Sequence, residues 1–453
     1  MGQIIQSMRC IEGLHSLALL LLLAIIACGV STYLHVPSSL APFSNFGLKY
    51  SDIVFGVFYP RFSADYESSS KYWYNVEILK LLMERKVVCP VPYIDYSFEY
   101  PPLVGLLWYI STCFSITITL RSESTSPYAS SYIHSIAELH FIVNAFFLSL
   151  SLLLSVFFLH RLVITSTKKP SFLSIATWLV LPSTILYSIY NWDVICLAFA
   201  LSSLVALHRK KYFTSGALIG ASIATKLMTA SIAYTISLYL LLRSHRGEKL
   251  RNFSLFLLGI SIFGATPYVT LLVVSPRGFF DFVAHHSAWY CENCIYLLFI
   301  HDIFSYLHRT LAIALVIILA ITIALLIFNR KSIEDSSWLY KLSTLSTLGA
   351  VLFNYVFSPQ MILLFSPLVM VFFVKISRIA YIASDTANSL IMVLFFYDSD
   401  IRYLLNRSGI PVEVRFSPWT IDSPVQWLAA IRNILLLLIF VVELVRLSRS
   451  KPL

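Results

Sequence analysis

Residues 101–120 read PPLVGLLWYISTCFSITITL, a run without a single acidic or basic side chain. About 20 such residues are enough for a helix to cross the hydrocarbon core of a bilayer. Whether this run crosses decides on which side every later loop falls. A polar cluster, Asp95-Tyr96-Ser97-Phe98-Glu99-Tyr100, stands directly ahead of it.

The rest of the chain settles the solvent. Of 453 residues, 58% are hydrophobic and 12% are charged, with a mean hydropathy of +0.78, whereas soluble domains carry about 25% charged residues. The sequence therefore predicts an all-α polytopic membrane protein, one integral domain over 1–453. Further apolar spans of the required length fall at 14–34, 139–160, 172–190, 192–208, 213–228, 229–243, 252–274, 309–328, 338–356, 360–375, 378–397 and 427–447. These make about twelve transmembrane helices. The first has only Arg9 ahead of it and no small-residue cleavage pattern, so it reads as a retained helix and not a signal peptide.

Charge then decides the status of 101–120. Lysine and arginine gather at Arg9, at 161–169, 209–211, 243–251, 330–331 and 375–378, and at 446–451, eighteen of the 33 in the chain. All fall on the cytoplasmic side if the twelve spans alternate from a cytoplasmic N-terminus, as positively charged loops do. A thirteenth crossing at 101–120 would turn all but Arg9 outward. The run is thus expected to lie in the interface or to re-enter, starting at Pro101-Pro102, residues that suit a helix entry and not a helix middle. Both termini are then cytoplasmic, and 35–138, 275–308 and 398–426 become the long external loops. The net charge of +10 resides in short anchoring turns. It forms neither a basic tail nor an aromatic-interleaved stripe, so the expected partner is membrane lipid and not nucleic acid.

The unusual acids and histidines collect on the external side. Loop 35–138 is far longer than a connection requires, which favours a functional role. It carries Asp52, Arg61, Asp65, Asp95 and Glu99. Asp52 stands out because it follows the first membrane helix, between Tyr50 and the apolar run Ile53–Tyr59. Desolvation there raises a carboxylate towards the basicity of a proton acceptor. The acids of this loop could serve as a general base, hold a divalent cation or cap helices. Asp193 opens a helix after Asn191-Trp192 and can cap it. Lys226 either marks the turn of a helical hairpin or contacts a phosphate, an intramembrane lysine being a functional candidate by default. His285-His286 follow an amphipathic stretch, and on a helix only one of the two need face a site. Cys291-Glu292-Asn293-Cys294, without a second cysteine pair, predicts a local disulfide or a bridge involving Cys89 more than a zinc site. A divalent cation could be held if Asp52, Asp95 and Glu99 converged, but none is required.

Several strings together resemble a known family. Tyr50-Ser51-Asp52-Ile53, Arg61, Pro92-Tyr93-Ile94-Asp95 and Glu99-Tyr100-Pro101-Pro102-Leu103 are similar to the first external loop of the polyprenyl-phosphate-dependent membrane glycosyltransferases of the GT-C superfamily, closest in pattern to glycosyltransferase family 87. Asn191-Trp192-Asp193, GALIGASIATKLM over 216–228 and FSPQMILLFSP over 357–367 extend the resemblance across 14–370. It implies a GT-C fold in the plasma membrane with an external active site. The implied reaction is inverting transfer of a sugar, mostly mannose, from a polyprenyl (dolichyl) phosphate donor to a glycolipid or glycan acceptor. It also implies Asp52 as general base. Arg61, Lys226, His285 and His286 would serve the departing phosphate, with Asp95, Glu99, Tyr100, Asp193 and Gln360 around the substrates. The family's lysine is usually followed by Tyr-Pro; here Leu227-Met228-Thr229 follow Lys226. The competing readings are a multi-pass transporter or flippase of a lipid-linked or polar substrate, which would place charges on broken midplane helices, and a non-catalytic scaffold.

Overall fold

The computed structural model describes residues 2–40, 47–63, 65–122, 129–166, 172–243, 248–330 and 336–449, with side chains described from residue 15 and backbone only at 122 and 129–131. The side chain of Arg9, and residues Lys168, Lys169, Arg246, Lys331 and Lys451, which enter the charge argument, lie outside that description. Among the described residues there is no strand, only isolated bridges such as Glu292 with Val356. The chain is an α-helical protein, and its described residues include seven helices long and apolar enough to cross a membrane: His15–His35, Pro102–Arg121, Tyr132–Ser166, Lys249–Val274, Leu307–Asn329, Lys375–Phe396 and Pro424–Arg449. Shorter apolar helices cover Asp193–His208, Leu227–Arg243 and Pro359–Phe372.

Every span expected from hydropathy is helical, but several are broken. Residues 172–190 divide at Pro182 into Phe172–Val180 and Pro182–Tyr187, because proline lacks the donor to continue a helix and suits the first position of a new one. The buried N–H of Ser183, without an intrahelical acceptor, donates to Asp385 Oδ2 at 3.0 Å, so an acid from a distant helix supplies the cap. The hairpin around Lys226 consists of α1 (Tyr212–Thr225) and, after a one-turn 3₁₀ segment, α2 (Ala230–Arg243). Helix α1 packs tightly on α3 (Lys249–Ile260). A Cβ on Gly216 would stand 2.0 Å from the Phe256 carbonyl oxygen, and one on Gly259 would stand 2.4 Å from that of Phe213. Small residues are what let helix backbones meet this closely in a membrane.

Side-chain contacts sort the connections to two ends of the bundle. At one end Ser16 meets His160, Tyr340 meets His208, and Arg243 donates to the carbonyls of Ile327 and Phe328. Arg378 donates to Ser174 there, and Glu443 accepts from the N–H of Val374 and from Ser377. These are the basic turns. At the other end Ser38 meets Glu138, His35 donates to the Leu186 carbonyl, and the loops 47–101, 275–306 and 397–423 pack together. Helix Pro102–Ser122 runs beside the half of Ala129–Ser166 nearest this second end. Trp108 and Thr112 touch His140, and its middle is tied to the long loop by the Cys89–Cys113 disulfide.

Candidate functional site

The site grows from the first residues after helix Gly2–His35 and its loop. Residues Asp52–Phe58 form a π-helix whose start is capped by Ser51, its hydroxyl accepting from Val54 N–H at 3.3 Å. Such wide turns are rare and concentrate at functional sites. Asp52 Oδ2 accepts from Asn191 Nδ2 at 2.7 Å, from Gln360 Nε2 at 3.2 Å and from the Tyr100 hydroxyl at 3.3 Å. Its other oxygen lies beside Gly56, where a Cβ would stand 3.4 Å away. Burial pushes the Asp52 carboxyl up to about 7 from an ordinary 3.8. The Asn191 hydrogen bond opposes that rise, the charge of Glu292 adds to it, and Lys226 lowers it.

Asp52 lines a cavity of about 600 Å³, within the usual range for small-molecule sites. Tyr100, Lys226, His285, His286 and Gln360 share its wall, so most of the expected residues converge there. Lys226 sits at the turn of the α1–α2 hairpin and lines the cavity. It does not snorkel away: its Nζ pairs at 2.7 Å with Asp193, which is fully buried in the first turn of its helix. His286 Nε2 donates to the Glu99 carbonyl at 2.8 Å, and burial lowers the His286 ring to about 4, so the ring is neutral at pH 7. His285 packs at a tilt against Trp289, ring centroids 4.8 Å apart, and is also held below the usual imidazole range by burial.

Three expected residues sit elsewhere. Arg61 is buried and faces a second, adjoining cavity of about 280 Å³; it donates to Ser97 O at 2.7 Å and Val57 O at 3.1 Å and forms an ion pair with Glu99. Glu99 lines both cavities. Asp95 lines neither: its carboxylate accepts from Val91 N–H at 2.7 Å and Asn75 Nδ2 at 3.3 Å and organises the loop. Asp65 is a helix cap, accepting from Glu67 N–H at 3.1 Å. Asp52, Asp95 and Glu99 therefore do not gather around one point. Cys291 and Cys294 are joined as a disulfide, with His308 nearby.

Other contributors were not anticipated. Glu292, between the paired cysteines, lines the large cavity and accepts from Trp289 Nε1 at 2.9 Å. Arg432, wholly buried on helix Pro424–Arg449, holds two walls of the cavity together. It donates to Asn293 O at 2.8 Å, Phe357 O at 3.2 Å and Asn388 Oδ1 at 2.9 Å, and its guanidinium lies 3.6 Å from the Phe357 ring centroid. An arginine inside an otherwise apolar span was the available signal. For Glu292 the sequence offered only the cysteines on either side.

Chemically, the cavity offers a carboxylate that is partly ionised at neutral pH, a lysine, neutral imidazoles and aromatic walls. That set can take a proton from a hydroxyl and neutralise a leaving anion. Comparison of the chain with protein-family models, with curated proteins and with solved structures found no match to any of them.

Proposed function

We propose that the protein is a GT-C-type membrane glycosyltransferase that moves a hexose, mannose by resemblance, from a polyprenyl (dolichyl) phosphate donor to a glycolipid or glycan acceptor. In this reading Asp52 Oδ1 removes the proton of the acceptor hydroxyl, and the acceptor oxygen attacks the anomeric carbon from the face opposite the phosphate. The bond from that carbon to the phosphate oxygen breaks, the electron pair leaves with the phosphate beside Lys226, and the proton stays on Asp52. Configuration inverts. A base whose pKa lies near the working pH is the most effective one, and a phosphate needs cationic help more than a proton donor.

The observation that carries the reading is the Asp52 carboxylate, anchored on one oxygen by three neutral donors and raised to about 7, in the wall of a cavity that also presents Lys226. The topology proposed with it has twelve crossings, cytoplasmic termini, and the cavity on the external face of the plasma membrane. Helix Pro102–Ser122 starts and ends on that face. In support, Tyr100 ahead of its start contacts Asp52, while Tyr132, in the first turn or so of the next helix, donates to the Leu82 carbonyl in the same loop.

The test is transfer from a polyprenyl-phosphate sugar by purified wild-type protein and by Asp52→Ala and Asp52→Asn. Loss of glycosidic product with folding intact supports the assignment, and undiminished transfer removes it. A flippase would move the donor between leaflets without releasing polyprenyl phosphate.

A further inference from the structure

Beyond the cavity that holds Asp52, the smaller one of about 280 Å³ is built from different chemistry. The rings of Tyr72, Phe98 and Trp289 contribute to its wall together with Arg61, Glu99 and Asp281. The two cavities share Gly56, Glu99, His285 and Trp289. Gly56 lies in both walls, and a Cβ there would lie 2.9 Å from the Tyr50 hydroxyl. The same Cβ would stand 3.4 Å from Asp52 Oδ1, so the residue shared by the two walls adjoins the second oxygen of that carboxylate.

Its ligand class follows from the groups that are already committed. Arg61 spends its charge on Glu99, and Asp281 accepts from the Tyr74 hydroxyl. Two carboxylates against one paired guanidinium repel an anion, and His285 adds no charge, since burial and Arg61 hold its ring below the usual range. A divalent cation would face the Arg61 guanidinium in the same wall, a like charge already paired with Glu99. An apolar ligand would cover the second carboxylate oxygens of Glu99 and Asp281 without offering them a donor, at a cost of about 1–3 kcal/mol for each group left unsatisfied. What remains is a neutral polyhydroxylated ring, whose C–H face lies on aromatic carbon while its hydroxyls donate to carboxylates.

We propose that this second cavity is the acceptor subsite and that it binds a neutral hexose unit, placing the next hydroxyl past Gly56 at Asp52. The assignment rests on the glycosyltransferase reading for the acceptor role, but the binding of a neutral hexose stands independently of it. The acceptor is then a glycan head group engaged through uncharged sugar.

Saturation-transfer NMR tests this on the full chain in lipid nanodiscs free of maltoside detergent, with a neutral mannose trisaccharide as probe and glucuronic acid and inorganic phosphate as charged comparisons. The expected result is a ring-proton signal from the trisaccharide alone. It should fall at least fivefold in Tyr72→Ala, Asp281→Asn and Gly56→Val, and should persist in Asp52→Asn and in Tyr72→Phe, which keeps the ring. Thermal unfolding of each variant controls for folding. The proposal is overturned if the trisaccharide gives no signal, if the charged probes bind as well, or if Tyr72→Ala and Asp281→Asn bind like wild type. Binding without any turnover of polyprenyl-phosphate sugar would instead leave the subsite standing and remove the glycosyltransferase reading. Donor turnover without hexose binding would do the reverse.

Discussion

Replacing Asp52 by Asn should stabilise the protein while abolishing its chemistry, and the stabilisation should depend on pH in a defined way. The carboxyl moves from 3.8 to about 7 on folding, chiefly through burial. At about 1.36 kcal/mol per pH unit, that distance corresponds to roughly 4 kcal/mol of stability withheld by the ionised form. The sign follows from proton binding. Between about pH 4 and pH 7 the folded state keeps the proton and the unfolded chain does not, so stability falls as pH rises; above about 7 both are ionised and the deficit is constant. Asn carries no charge at any of these values. Its side-chain oxygen can accept from Asn191 and Gln360, though more weakly than a carboxylate, a loss of roughly 1–2 kcal/mol. The net gain at pH 8 is then about 2 kcal/mol and disappears near pH 4.5. Thermal unfolding followed by tryptophan fluorescence at pH 4.5, 6, 7 and 8 reads the difference directly. A gap between variant and wild type that does not widen from pH 4.5 to pH 7, or an Asn variant less stable at pH 8, would refute the burial argument.

Other expectations follow from the same geometry. Sugar transfer should rise about tenfold per pH unit below about 7 and level off above it, because only ionised Asp52 accepts a proton; a rate independent of pH across 5.5–8 would exclude it as the base. Lys226→Met should cost about 3–5 kcal/mol by stranding the buried charge of Asp193, and the double variant with Asp193→Asn should recover most of that loss in thermal unfolding. Arg432→Met should lower thermal stability by about 2–4 kcal/mol, since Phe357 O and Asn388 Oδ1 lose a charged donor. A cysteine in place of the exposed Arg121 should react with an impermeant thiol reagent from outside the cell; labelling only from the cytoplasmic side would make 102–121 a true crossing.

How much of this could be read from the chain differs by scale. The all-helical class and the approximate helix positions were legible, because apolar runs and prolines act within a few residues of themselves. Pro182 and the turn at Lys226 are cases where a local rule met its local outcome. Asp52 was legible for a related reason: its apolar neighbours are sequence neighbours, so its desolvation could be anticipated. Arg61 and Asp95 were visible as charged loop residues, yet the partners that absorb them, Glu99 and the Val91 amide, are chosen by the path of the loop.

By itself, then, the sequence determined a membrane-embedded helical protein, the order of its helices, and a carboxylate placed where water is scarce. Only the tertiary structure decided that Asn191 and Gln360, 139 and 308 residues away, would hold that carboxylate. It also decided that Lys226 would meet Asp193, that Glu292 would enter the wall, and that Arg432 would bind that wall together. The physical reason is one of range. Hydropathy and backbone propensity are properties of a few consecutive residues, whereas burial, ion pairing and a shared cavity depend on which distant groups fill the same low-dielectric space.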